Sequence, residues 1–235
     1  MTTPAAEFLV IGHRGARGHA PENTLHAIDR GIRLGAHAVE FDVQLHPSGA
    51  LLLFHDLTLD RTTNGHGALC AASFDELRAL DAGAGEQIPT LEEALELIEQ
   101  RVIVNVELKT AEGTGEAVAA VLRNYIEAGW PAERFLVSSF HLPELWEFKQ
   151  LAPEIPVGAL YAGVPLDFAG SAVELGAVSV NLGSEFLDAR MIADARAHGL
   201  KVYVYTVNAP DELAALRAAG IDGVFTDYPE RALAL

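Results

Sequence analysis

Cysteine occurs once in the 235-residue chain, at Cys70, so an intrachain disulfide is excluded. Its neighbours Ala68, Leu69, Ala71 and Ala72 point to a small packed residue rather than a nucleophile. Basic residues are also scarce. There are 16 Lys and Arg against 33 Asp and Glu, a formal net charge of −17. Such a surface repels polyanions and offers no basic stripe for releasing counterions, so no nucleic-acid partner is expected. No uncharged apolar run reaches 18 residues, and the N-terminus lacks a basic start followed by a long apolar core. Membrane insertion and export are therefore not expected, and the expected compartment is the cytoplasm. A G-x-G-x-x-G after the first strand-like run is missing too, which weakens the case for a doubly wound open sheet.

What is present is half apolar and contains 21 Gly and 11 Pro, the composition of one compact, enzyme-sized domain spanning residues 1–235. Short β-branched or aromatic runs bounded by Gly, Pro, Asn or Asp occur at 8–13, 38–43, 102–108, 135–140, 157–161, 178–182, 202–207 and 223–227. Between them the apolar spacing approaches 3.6, as in Leu25, Ile28 and Ile32 or Leu91, Leu95 and Ile98, and Thr90 with Glu93 forms a capping box. This alternation, at this length, predicts an α/β TIM (β/α)8 barrel. The rhythm breaks after the second run, where H-P-S-G at 46–49 reads as a hairpin turn into A-L-L-L-F-H-D and a polar stretch follows. Residues 46–88 are thus expected to be a small insertion between strand 2 and helix 2, on the catalytic face.

Strand alternation then places Glu40, Asp42 and Gln44 on one face of the second strand, and Asn105, Glu107 and Lys109 on one face of the next. Glu40, Asp42 and Glu107 are the candidate metal ligands, because three buried carboxylates repel one another unless a cation offsets them. All-oxygen ligation suits Mg²⁺, Ca²⁺ or Mn²⁺. The pattern alone leaves open an ion network with Arg14, Arg17 and Lys109. His13 and Arg14 end the first strand and His55 ends the hairpin strand, so two imidazoles and a guanidinium reach the same rim as the acids. Phe140 and Tyr205, also at strand ends, are candidates for the wall of a substrate pocket. Asp227 reads either as a residue facing the barrel mouth or, slightly favoured, as the end of the last strand, and His141 is equally open as a helix-entrance residue or a substrate contact. His19, His26, His37 and His198 are expected at the surface.

H-R-G at 13–15, P-E-N-T at 21–24, E-F-D-V at 40–43, H-D at 55–56, R-T-T-N-G at 61–65, I-P-T-L-E-E at 88–93, E-L-K at 107–109, S-S-F at 138–140, Y-T-V-N at 205–208 and D-G-V-F-T-D-Y-P at 222–229 follow one another along nearly the whole chain. This series resembles the signature of the glycerophosphodiester phosphodiesterase family, and is closest to its short cytoplasmic bacterial members. The resemblance implies a TIM barrel with an insertion after strand two. It also implies metal-dependent hydrolysis of a small-molecule glycerophosphodiester to an alcohol and glycerol 3-phosphate by a monomer or homodimer. In that family the residues matching Glu40, Asp42 and Glu107 hold a divalent metal, those matching His13 and His55 act as general acid and base, and those matching Arg14 and Lys109 contact the phosphate. Tyr205 departs from the family, many members of which carry Trp there.

Overall fold

The computed structural model describes residues 8–111 and 113–235. Residues 1–7, part of the stretch read above for an export signal, lie outside the described residues. Eight strands close into a parallel barrel: β1 (Leu9–Gly12), β2 (Ala38–Leu45), β4 (Ile103–Leu108), β5 (Phe135–Ser139), β6 (Val157–Tyr161), β7 (Ser179–Gly183), β8 (Lys201–Tyr205) and β9 (Gly223–Thr226). Pairing of β1 with both β2 and β9 makes the closure. Helices α1 (Leu25–Arg33), α3 (Leu91–Ile98), α4 (Thr114–Glu127), α5 (Leu142–Leu151), α6 (Gly170–Leu175), α7 (Ala189–Ala197), α8 (Pro210–Ala218) and α9 (Pro229–Leu233) alternate with the strands. The outward strand residues, such as Val39, Phe41 and Val43, pack against the apolar faces of these helices in the main core. Each such side chain contributes about 1.5–3 kcal/mol on full burial, which is what holds the ring of helices to the barrel. No described helix is long and apolar enough to cross a membrane.

Between β2 and α3 lie β3 (Leu51–Leu53), antiparallel to the end of β2, and α2 (Phe74–Arg78). A tight turn connects β2 to β3, with His46 N–H donating to Ala50 O and Gly49 N–H to His46 O. This segment has its own small core of Leu52, Phe54, Leu59, Leu69, Leu77, Ala82 and Ile88. Cys70 does not join it, contrary to the sequence reading, and is exposed. In the short 3₁₀ turn Leu69–Ala71, Leu69 alone faces the core, so neighbouring small residues were no guide to burial.

Helix starts follow the sequence closely. Thr24 caps α1 by accepting from Ala27 N–H at 3.1 Å, and Thr90 and Glu93 form the reciprocal cap of α3. His141 proves to be a cap as well: its Nδ1 accepts from Glu144 N–H at 3.1 Å at the start of α5. His37 is half-buried rather than on the surface, and accepts from Val10 N–H.

Candidate active site

The site is assembled at the C-terminal ends of the strands. Parallel pairing of β2 with β4 puts Asp42 in register with Glu107 and Glu40 with Asn105. Because alternate residues point inward, Glu40, Asp42 and Glu107 converge inside the barrel mouth, each offering a carboxylate oxygen within 4.8 Å of the others. All three are buried.

Asp42 is held in place from the P-E-N-T segment. Asn23 Nδ2 donates to Asp42 Oδ2 at 2.8 Å and Asn23 Oδ1 accepts from Asp42 N–H at 3.1 Å. Arg14 Nε lies 3.1 Å from Asp42 Oδ2 and Lys109 Nζ lies 3.6 Å from Oδ1. Lys109 also donates to Glu107 Oε1 at 2.7 Å. Glu40 is served differently: Oε2 accepts from the Arg14 backbone N–H at 2.8 Å, whereas buried Oε1 has no hydrogen-bond partner among the described residues. An orphaned buried carboxylate oxygen beside two other carboxylates is the feature a cation would satisfy. Burial, with the charges of Asp42 and Glu107, pushes the Glu40 carboxyl well above its usual range. Burial and the Asp42 charge push Glu107 to about 7, against the pull of Lys109.

The H-R-G turn brings Arg14 into this cluster. Arg14 adopts a left-handed φ of 49°, a conformation rare outside glycine and often found where function fixes the backbone. Gly15 follows at φ 82°, where a Cβ would come within 2.4 Å of the Ala27 backbone in α1. Only glycine fits that crossing.

Each candidate histidine carries an aspartate on Nδ1. His13 Nδ1 donates to Asp227 Oδ1 at 2.8 Å, and His55 Nδ1 donates to Asp56 Oδ1 at 2.5 Å. Asp227 is fixed by Asn208, whose Nδ2 donates to Oδ2 at 2.8 Å and whose Oδ1 accepts from Asp227 N–H at 2.9 Å. Burial raises the Asp227 pKa, but bonds from His13 and Asn208 and the charge of Arg17 outweigh it and keep the carboxyl below its ordinary value. A carboxylate only accepts, so His13 keeps its proton on Nδ1 and leaves Nε2 for chemistry. Burial lowers the His13 pKa, with Arg14 adding to the effect and Asp227 opposing it. Gln44, the third inward residue of β2, braces His55 by donating from Nε2 to the carbonyls of Phe54 and Asp56, each at 2.8 Å.

A cavity of about 280 Å³ opens over the cluster, with His13, Arg14, Glu40, His55, Glu107, Lys109, Phe140 and Tyr205 in its wall. Asp42 is not in the wall but is paired with Arg14 and Lys109, which are. The site residues expected from the sequence therefore line one cavity, except Asp42, which joins it through its cluster with Glu40 and Glu107. Phe140 and Tyr205 meet edge-on at 5.7 Å between centroids, and Tyr205 Oη donates to Tyr161 O at 2.7 Å. Of the two readings open for Asp227, the structure supports the barrel-mouth one, since it bonds His13, and its spacing of two from inward-facing Phe225 carried that signal.

Residues 13–231 match the glycerophosphoryl diester phosphodiesterase family. The chain belongs to that family. A glycerophosphodiester phosphodiesterase from Caldanaerobacter subterraneus subsp. tengcongensis is 35% identical over 234 residues, covering 94% of this chain and 95% of that protein. One from Bacillus altitudinis is 32% identical, covering 95% and 96%. A phosphodiesterase from Oleispira antarctica, solved in complex with the product sn-glycerol-3-phosphate, superposes with a TM-score of 0.88 at 36% identity, covering 96% of this chain and 95% of that one. The family places this chain among the phosphodiester hydrolases, and Glu40, Asp42 and Glu107 form its candidate divalent-metal site.

The crowded carboxylates have a consequence for stability. For an acid whose folded pKa is raised, the native state holds more protons than the unfolded state between the two values, so stability falls as pH rises through that window. For Glu107 the window runs from 4.5 to about 7. Thermal melts of metal-free protein are expected to show a decline in Tm across this range, recovered at its upper end by a divalent cation and flattened in Glu107→Gln. A wild-type Tm that neither declines across the window nor responds to metal would contradict this reading of the cluster.

Proposed function

We propose that the protein hydrolyses glycerophosphodiesters to an alcohol and glycerol 3-phosphate, using a divalent metal held by Glu40, Asp42 and Glu107 and proton transfer by His13 and His55. The observation that carries this is the meeting, at one cavity, of a carboxylate trio with a buried oxygen unpartnered among the described residues and two histidines that each have an aspartate on Nδ1. The product bound by the Oleispira antarctica relative supports glycerol 3-phosphate as the product here. Oxygen-only donors favour Mg²⁺, Ca²⁺ or Mn²⁺. When bound, such an ion supplies charge neutralisation at the phosphoryl oxygens.

The chain's own residues do the rest. Arg14 and Lys109 line the cavity with donors suited to the non-bridging phosphate oxygens. One histidine takes a proton at Nε2 from the attacking O–H, and the other gives a proton from Nε2 to the departing alkoxide. The attacking O–H is that of water or of the glycerol 2-hydroxyl, the latter giving a cyclic phosphate that water then opens to glycerol 3-phosphate. The bond from phosphorus to the alcohol oxygen breaks as the bond to the attacking oxygen forms. Asp227 and Asp56 hold the two imidazoles in orientation. Phe140 and Tyr205 wall the alcohol side of the cavity. A lowered His13 pKa keeps that ring neutral, and available as a base, to below the ordinary value of 6.5.

Lys109 tests the division between phosphate contact and metal support. It bonds to Glu107, yet it also borders the cavity. Lys109→Ala is expected to lower kcat/KM by about 2 kcal/mol or more in transition-state binding while metal affinity by titration calorimetry stays unchanged. A loss of metal affinity with proportionate loss of turnover would instead make Lys109 a support for Glu107 alone. Release of choline and glycerol 3-phosphate in equal amounts from glycerophosphocholine is the direct assay of the activity itself.

A further inference from the structure

The motifs P-E-N-T and R-T-T-N-G each leave a charged residue outside this chemistry, Glu22 and Arg61. Their side chains meet across the seam between the β1–α1 loop and the segment after β3. Arg61 Nη2 donates to Glu22 Oε1 at 2.7 Å and Nη1 to Oε2 at 2.9 Å. The other edge of the same guanidinium grips Asp56, with Nε to Oδ2 at 2.6 Å and Nη2 to Oδ1 at 3.0 Å. Asp56 accepts the His55 proton, while Glu22 accepts from Arg14 Nη1 at 2.5 Å. One planar group thus stands between the carboxylate that orients His55 and the carboxylate that anchors Arg14.

The two histidines differ in how their aspartates are secured. Asp227 ends a barrel strand and is held by Asn208 and Arg17. Asp56 lies beyond the barrel, and among the described residues its carboxylate is bonded only by His55 and Arg61. Proton transfer demands alignment that a misplacement of about 1 Å degrades by roughly 10²-fold. An exposed ion pair contributes only about 0–1 kcal/mol to stability, so a half-exposed Arg61 matters less to the fold than to the position of what it holds. Bonding two carboxylates from two edges requires a guanidinium fork, which lysine lacks.

We propose that Arg61 is a positioning residue that sets the Asp56–His55 pair against Arg14, aligning a proton-transfer group outside the barrel with a phosphate-binding cation on it. The proposal rests on the reading of His55 as an acid–base residue. The test is a cycle of Arg61→Met, His55→Ala and the double variant in metal-loaded protein, assayed with glycerophosphocholine, together with Arg61→Lys. Arg61→Met is expected to lower kcat about 10- to 50-fold, with KM and metal affinity within about threefold of wild type. Arg61→Lys should recover only part of the loss. In the His55→Ala background Arg61→Met should add less than about twofold, and ¹⁵N spectra should show His55 losing its dominant Nδ1–H tautomer in Arg61→Met alone. A wild-type kcat, an effect confined to KM, or an equal loss without His55 would overturn the proposal. Should Arg61→Met fail to fold, Arg61→Lys and Glu22→Gln carry the same cycle. An unimpaired His55→Ala would sink the acid–base reading, whereas an impaired His55→Ala beside an unimpaired Arg61→Met overturns the role of Arg61 alone.

Discussion

Replacement of His13 or His55 by Ala is expected to lower kcat by roughly 10²- to 10⁴-fold, the usual contribution of a positioned general acid or base. Neither ring is among the three carboxylates that would hold the metal, so metal affinity should stay at its wild-type value. Stability should change little at His55, whose side chain is 31% exposed, and more at His13, which is 14% exposed and bonded to Asp227. Removing His13 leaves that carboxylate with Asn208 and Arg17 as its remaining partners. Because the two histidines act on one bond-breaking event, the double variant should lose less than the product of the single losses. The pH profile of kcat/KM in the wild type should be bell-shaped, and each single variant should lose one limb. A double variant with wild-type kcat would exclude the pair from proton transfer.

Glu40→Gln separates metal binding from folding. The substitution keeps the shape of the side chain but removes a buried ionisable group whose Oε1 has no partner among the described residues and whose neighbours are Asp42 and Glu107. Without metal, relief of the repulsion that builds as Glu40 ionises should raise Tm relative to metal-free wild type, increasingly so as pH rises. With metal, the order should reverse. The variant should lose about 100-fold or more in affinity for Mg²⁺, Ca²⁺ or Mn²⁺, show little thermal stabilisation by them, and retain no more than about a thousandth of the turnover. A Glu40→Gln protein that binds and responds to metal like the wild type would remove Glu40 from the site.

The barrel was legible because its strands are short apolar runs separated by strong punctuation, and because caps such as Thr90 with Glu93 rest on local geometry that a sequence states directly. Alternation likewise put Glu40, Asp42 and Gln44 on a common face. What alternation does not give is register. The opposition of Asp42 to Glu107 depends on how β4 slides against β2, a consequence of the chain between them and of packing outside the barrel. Partners distant in sequence were invisible for the same reason: Asp227 reaches His13 across 214 positions, and Arg61 reaches Glu22 across 39. Cys70 failed for a smaller cause, a single 3₁₀ turn that buries one residue and exposes the next.

Under the proposed function, turnover needs a divalent ion at Glu40, Asp42 and Glu107. The most direct test is to strip the protein of metal exhaustively, confirm the removal by elemental analysis, and follow choline release from glycerophosphocholine before and after adding back Mg²⁺, Ca²⁺ or Mn²⁺. The stripped protein should be folded and inactive, and at least one of the three ions should restore release of choline with an equal amount of glycerol 3-phosphate. Full turnover by the verified metal-free protein would contradict a metal requirement at these three carboxylates.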